Sequence, residues 1–325
     1  MIYTLAKTVL WIATIAVLAV TILPTLRIHH WWVRMWDFPR LHILVTAIVI
    51  AALAVAILKI HALPLISILL ACVVYQGIKV WPYSPLAAIE IRTVQHPSGP
   101  EFSLLSSNVL MENKEHTKLI DLITHNKPDV LFLMETDEVW LEAMEDVLKD
   151  YPTVLSDPRD NHYGLIFATR LHFEKVETVF LVDDETPTLL AHLRDSAGQG
   201  FHFIGMHPRP PVPGVDTDER DAQIARAATL TQKSGLPVIA MGDFNDVAWS
   251  WTARMFKNQG NFRDPRIGRG PLASFDANHL LMRFPIDQFY LTRGIDLVSF
   301  QREAHIGSDH FPMSAVVAIN PDESG

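Results

Sequence analysis

Eight polar residues of this chain sit at the ends of short apolar runs or just after them, and their types suit one chemistry. They are Asn108, Glu135, His207, Asp243, Asn245, Asp287, Asp309 and His310. An apolar run of four to eight residues reads as a buried strand. A polar side chain at its C-terminal end lies at the rim, where a ligand can reach it. A single Asp or Asn after a strand is ordinary turn chemistry; the joint set holds the parts of a phosphate ester hydrolase. Glu135, Asn108 and Asp309 offer hard oxygen ligands that suit Mg²⁺ or Mn²⁺, and no Cys/His set has zinc spacing. Asp243 and Asn245 stand at i and i+2 and face one way on extended backbone. One can orient or deprotonate a water while the other holds the phosphate. His207 and His310 can donate protons or hydrogen bonds to phosphoryl oxygens, and Asp287 can fix the tautomer of His310. A divalent ion would offset charge on the pentacoordinate transition state.

The elements that carry these residues alternate. FSLLSSNV (102–109), VLFLME (130–135), LIFATR (165–170), FHFIGM (201–206), PVIAMG (237–242), IDQFYL (286–291) and MSAVVAI (313–319) read as strands. Residues 115–126 and 217–233 read as helices. The second part of the chain is therefore α/β.

The first part differs. Residues 1–92 hold seven basic and two acidic side chains, against twenty and thirty-four in 93–325, so the net charge changes from +5 to −14. The 325 residues are 49% hydrophobic with mean hydropathy +0.17, which excludes disorder. One cysteine, Cys72, excludes a disulfide scaffold and reads as a packed thiol. The runs 3–25, 41–58 and 62–78 predict three transmembrane helices, the third carrying Pro64 and Gln76. The first is too long for a usual signal core and lacks a small-residue cleavage pattern. In the connector RIHHWWVRMWDFPR (27–40), Trp31, Trp32 and Trp36 read as an interfacial belt. Arg27, Arg34 and Arg40 read as headgroup contacts, His29 and His30 as part of a wet loop, and Trp81 with Tyr83 as the far end of the third helix. Residues 93–100, with His96-Pro97-Ser98-Gly99-Pro100, read as a linker to a catalytic domain at 101–320, with a tail at 321–325.

The order Asn108-Val109, Glu135-Thr136, His207, Met241-Gly242-Asp243-Phe244-Asn245, Ile286-Asp287-Gln288-Phe289 and Ser308-Asp309-His310 resembles the endonuclease/exonuclease/phosphatase superfamily over about residues 101–320. The resemblance implies a four-layer α/β sandwich of two mixed β-sheets with helices outside. It also implies roles. Glu135 looks like the main metal ligand, with Asn108 beside it and Asp309 as a further acid. Asp243 looks like the water-activating residue and Asn245 its phosphate-holding partner. His207 looks like the histidine near the leaving group, and Asp287 with His310 the Asp–His pair. Tyr163-Gly164 resembles a Gly-containing strand beside the site, and Arg220 with Gln223 a structural Arg…Gln helix. The departure is His207-Pro208-Arg209-Pro210-Pro211, where the prolines stiffen the loop and Arg209 is a candidate contact to a substrate phosphate. Three helices followed by this domain also resemble membrane-anchored bacterial members, vancomycin-resistance-type proteins among them.

The expected protein is a multi-pass protein of the cell inner (cytoplasmic) membrane that hydrolyses a phosphate ester or pyrophosphate, lipid-linked substrates included. Charge counting around loop 27–40 puts the domain in the cytoplasm; the resemblance puts it outside, and is preferred. A net −14 disfavours nucleic acid. A tethered Mg²⁺-dependent nuclease would need Arg263, Arg266, Arg269 and Arg283 to line a groove, and an inactive membrane-anchored binding domain is the third reading.

Overall fold

A computed structural model of the chain describes residues 1–321, so 322–325 of the expected tail lie outside the described residues. The first part is a bundle of three long helices, α1 (Ile2–Ile22), α3 (Arg40–Leu58) and α4 (Leu63–Val80), with a single turn, α2 (Trp31–Arg34), between the first two. Two stretches are long and apolar enough to cross a membrane: Ile2–Leu26, of mean hydropathy 2.3, and Arg40–Tyr83, of 2.8. The second is broken by Lys59, whose φ of +50° no helix continues, and so folds back as α3 and α4. Pro64 stands in the first turn of α4, where its missing N–H is not needed. Gln76 is buried but satisfied: it accepts from Arg40 Nη1 (3.0 Å) and donates to Thr21 Oγ1 (3.2 Å). Leu10, Val17, Ala47, Ala54, Leu69 and Cys72 fill the bundle, while Ile12, Val45, Ile48, Leu53, Leu70 and Val74 face outward.

The second part follows with β1 (Glu101–Asn108), α5 (His116–Asn126), β2 (Val130–Met134), α6 (Glu138–Leu148), β3 (Thr153–Asp157) and β4 (Leu165–Thr169). Next come β5 (His172–Phe180), β6 (Pro187–Arg194), β7 (Gly200–Met206), α7 (Asp218–Ala227) and β8 (Val238–Asp243). The series ends with α8 (Trp251–Gly260), β9 (Asp287–Leu291), β10 (Ile295–Arg302) and β11 (Met313–Ile319). One sheet has the order β10-β11-β1-β2-β4-β3, the other β5-β6-β7-β8-β9. Each is mixed, with one parallel pair, β1–β2 or β7–β8. Phe102, Phe132, Phe167, Leu189, Phe203, Met241 and Phe289 pack between the sheets. α5 and α6 cover the first sheet through Leu119, Ile123, Trp140 and Met144; α7 and α8 cover the second through Ile224, Ala227 and Phe256. The four layers expected from the resemblance are present. The helix expected over 217–233 ends at Ala227. Strands β3, β5, β6 and β10 and helices α6 and α8 were not expected.

The connector is not a wet interfacial loop; it docks on the second part. Arg34 is buried and pairs with Asp37 (2.6 Å), donates to Thr252 Oγ1 (3.2 Å) and reaches Asp246 (3.7 Å). Arg40, also buried, takes the other oxygen of Asp37 at 2.5 Å. The reading of Arg34 and Arg40 as headgroup contacts is therefore corrected: both arginines are used inside the protein, where an aspartate compensates their desolvation. His29 pairs with Asp221 (3.0 Å) and His30 with Asp216 (2.8 Å). Trp249 Nε1 donates to Asp37 O (2.7 Å), and Tyr83, buried rather than interfacial, donates to Ala248 O (2.7 Å). Residues 91–99 lie along the sandwich: Arg269 donates to Ile91 O (2.6 Å), Val94 N to Leu297 O (2.9 Å), and Ser98 N to Asp296 Oδ2 (3.1 Å).

Removing Arg34 leaves Asp246 and Asp37 buried with less compensation. Arg34→Ala should lower the unfolding free energy of the full chain by about 3 kcal/mol, read as a shift of the denaturant midpoint in detergent.

Candidate active site

The two parallel pairs point their C-terminal ends to one rim of the sandwich. β1 ends in Asn108 and Glu135 follows β2; His207 follows β7 and β8 ends in Asp243. β9 begins with Asp287, which faces Asp243 in register. The chain bends sharply at these points. Glu135 has φ +60° and Asn245 φ +49°, a left-handed conformation that non-glycine residues hold only under constraint. Gly242 has φ +138°, and a Cβ there would stand 2.2 Å from Met206 O, so only glycine lets β8 approach β7 this closely.

These side chains meet. Asn108 Nδ2 donates to Glu135 Oε1 (2.7 Å) and to Asp243 Oδ2 (3.2 Å). His207 Nε2 lies 3.6 Å from Asp243 Oδ2 and 3.8 Å from Glu135 Oε1. His310 Nε2 lies 3.5 Å from the same Asp243 oxygen, and its Nδ1 is 2.7 Å from Asp287 Oδ2. Asp243 Oδ1 accepts from Asn245 N (2.8 Å). Asn245 Nδ2 donates to Pro208 O (2.9 Å), and Asn245 O accepts from Arg220 Nη1 (2.8 Å). Ser308 Oγ donates to Asn108 O (2.9 Å) and accepts from His310 N (3.0 Å), which ties the Ser-Asp-His turn to β1. Asp309 is half-buried; burial, with Glu135 adding to it, raises its carboxyl pKa. Tyr163 packs on His207 with ring centroids 5.5 Å apart.

The Endonuclease/Exonuclease/phosphatase family profile matches residues 105–310. The chain belongs to this family. Solved structures with the same fold include a humanized D. rerio TDP2, at 17% identity and TM-score 0.58, covering 67% of this chain and 98% of that one. The human Nocturnin catalytic domain with bound sulfate matches at 16% identity and TM-score 0.56, covering 68% and 94%. A family protein from Bacteroides thetaiotaomicron matches at 14% identity and TM-score 0.56, covering 71% and 99%. At such identities the likeness is one of fold. No curated protein sequence matches.

The remaining candidates stand at the edge of the family site or outside it. Arg209 stacks on the Tyr163 ring at 5.6 Å, and its guanidinium meets Glu185 (2.6 Å), Glu219 (3.3 Å) and Asp183 (3.5 Å). A substrate phosphate would have to compete with these carboxylates. Gln223 donates to Thr188 Oγ1 (3.0 Å) and, with Arg220, braces the site from below. Of the four arginines that a nuclease groove would need, Arg266 is buried against Asp264 (2.8 Å), and Arg263, Arg269 and Arg283 donate to backbone carbonyls. Sequence reasoning missed His162, whose Nδ1 is 3.2 Å from Glu135 Oε2 and whose Nε2 is 3.4 Å from Glu112. Its signal was position, directly before the Tyr163-Gly164 already singled out.

Burial pushes the Asp243 carboxyl up, with Asp287 adding to the effect against the pull of His310 and His207. Burial raises Asp309 as well. Burial also works against charge on Glu135, but His207 and hydrogen bonds from Asn108 and His162 outweigh it and hold the carboxyl below its ordinary value. Burial opposes the His310 imidazolium; Asp287 and Asp243 prevail and push its pKa up to about 10. Asp243, Asp287 and His310 place ligand atoms within 4.8 Å of one another and could hold a metal ion. With His310 protonated and occupied by Asp287, Glu135 and Asp309 are the oxygen donors that suit a hard divalent cation, while Asn108 turns its Nδ2 to Glu135 and gives its Oδ1 to Leu110 N (3.1 Å).

The raised His310 pKa gives a stability term that is full below pH 6.5 and is lost as pH rises through about 10. In chelator, the thermal unfolding midpoint of the full chain should fall as pH rises across that window, and Asp287→Asn should flatten the dependence.

Proposed function

We propose that this family hydrolase is a membrane-tethered, Mg²⁺- or Mn²⁺-dependent phosphoesterase acting on a phosphate ester or pyrophosphate presented at the bilayer. The observation that carries the reading is the convergence of Asp243, His207 and the Asp287–His310 pair on the Asn108–Glu135 carboxylate cluster. Asp243 is the proton acceptor. Its carboxyl, raised by burial, takes the proton of a water that attacks phosphorus as the bond to the leaving oxygen breaks. Protonated His310, oriented by Asp287 at 2.7 Å, donates to a phosphoryl oxygen and lowers the charge that builds there. His207, 3.6 Å from the same Asp243 oxygen that His310 approaches, serves the leaving group or a second phosphoryl oxygen. Asn245, fixed by Arg220 and Pro208 O, holds the phosphate by its amide. Glu135 and Asp309 would hold the divalent ion, with Asn108 orienting Glu135 through its amide; the ion's contribution is to neutralise phosphate charge.

Three observations favour a membrane-borne substrate: the two apolar helical stretches, their outward apolar faces, and the docked connector that ties the site to them. The inward engagement of Arg263, Arg266, Arg269 and Arg283 speaks against the nuclease reading. The multi-pass placement in the inner membrane, with the domain on the outer side, belongs to the same proposal and is read by a reporter fused at the C-terminus.

A phosphate-release screen over lipid phosphates, lipid pyrophosphates, nucleotides and DNA tests the reading. Asp243→Asn and Glu135→Gln should each reduce turnover on the order of 10²–10⁴-fold, and chelator should abolish it. Release from none of these substrates, or equal rates for both variants and the native chain, overturns it.

A further inference from the structure

A second polar site lies away from the rim, where the helix bundle meets the catalytic domain. Arg27, Arg40, Lys79 and Arg254 line a cavity of about 200 Å³ together with Asp37 and Tyr75. Arg27 follows α1, Arg40 opens α3, Lys79 stands in the last turn of α4, and Arg254 comes from α8. Four cations thus face one carboxylate. Asp37 is already held by Arg34 at 2.6 Å and Arg40 at 2.5 Å. Among the described residues no carboxylate pairs with Arg27, Lys79 or Arg254. Lys79 Nζ and the Arg40 guanidinium instead share the Tyr75 ring, at 5.3 and 5.8 Å. Buried Arg40 keeps an Nε with no hydrogen-bond partner. Four like charges that share one counter-charge still repel, and the cost is relieved by an anion.

The cavity does not end at its polar wall. An apolar groove of about 200 Å³ runs between α1 and α4, lined by Leu18, Ile22, Ala71 and Cys72, and it shares Thr25 and Tyr75 with the basic cavity. An apolar channel opening into a cationic pocket has the polarity of a lipid: chain along the helices, phosphate at their ends. The position also fits, because Lys and Arg at the ends of membrane helices meet anionic headgroups there. We propose that this junction binds the phosphate headgroup of an anionic lipid, with an acyl or isoprenyl chain in the α1–α4 groove. The inference rests on the membrane reading above but not on the catalytic one. The bound lipid would bridge the bundle to the catalytic domain, since Arg254 belongs to the latter. Through Asp37 and Arg34 it would also border Asp246, the neighbour of Asn245.

The test uses the full chain with Asp243→Asn, so that no turnover consumes a probe. Flotation with phosphatidylcholine vesicles first reads insertion. Native mass spectrometry in detergent then compares phosphatidylglycerol, phosphatidylcholine and soluble glycerol phosphate. Phosphatidylglycerol should bind in preference to phosphatidylcholine. Arg27→Gln with Arg254→Gln, both at exposed positions, should weaken it by about tenfold or more. Ala71→Phe, which fills the groove, should weaken phosphatidylglycerol and spare glycerol phosphate. No preference for the anionic lipid, or unchanged binding in the double variant, overturns the site while leaving membrane insertion standing. Glycerol phosphate binding as tightly as the lipid, with Ala71→Phe silent, assigns the pocket to a soluble phosphate and overturns the lipid. Failure to float overturns the membrane reading and this site together.

Discussion

Carboxylates repel one another, and this fold gathers Glu135, Asp243, Asp287 and Asp309 at one rim. Burial raises the Asp243 and Asp309 carboxyls first, and the neighbouring carboxylates Asp287 and Glu135 add to it. Two histidines and one amide keep the cluster together: His310 between Asp243 and Asp287, His207 between Asp243 and Glu135, and Asn108 across the same gap. Such a cluster favours any species that brings positive charge or protons to it. The chemistry of the site follows from this imbalance, and so does the demand for precise support beneath it.

That support is the sandwich itself. Glu135 and Asp243 stand at the ends of the parallel pairs β1–β2 and β7–β8, Asp287 faces Asp243 from β9, and Asp309 comes in on the turn before β11. β8 ends in Asp243, and the loop after it carries Asn245 and then Asp246 and Trp249, which meet Arg34 and Asp37 of the N-terminal segment. Arg220 bonds Asn245 on one side and Asp221 on the other, and Asp221 receives His29. Arg34 reaches Asp246 from the same segment. The catalytic loop is thus shared property of both parts of the chain.

Much of the rim was legible because burial and function leave opposite marks on neighbouring residues. A strand such as Val130–Met134 is apolar throughout, so the polar Glu135 after it stands out. The strands that escaped notice lack that contrast. β5 is largely solvent-facing, with Glu174, Lys175 and Glu177 along it, and β3 and β10 alternate weakly. Helix α6 is preceded by Asp137, whose side chain accepts from Trp140 N at 2.8 Å, a signal hidden behind the acids around it. The connector was misread for a different reason. Trp and Arg beside an apolar helix suit a headgroup region equally well in composition; only tertiary partners such as Asp246 and Thr252, more than two hundred residues away, decide that Arg34 turns inward.

The segment from Tyr83 to Gly99 is fastened at Ala248, Leu297 and Asp296, so the domain has no slack on which to swing. Under the membrane-tethered reading proposed above, these fastenings would hold the rim at one height over the bilayer. Encounter would then be a two-dimensional search, in which a substrate drifting in its own leaflet is met only where its scissile bond stands at that height.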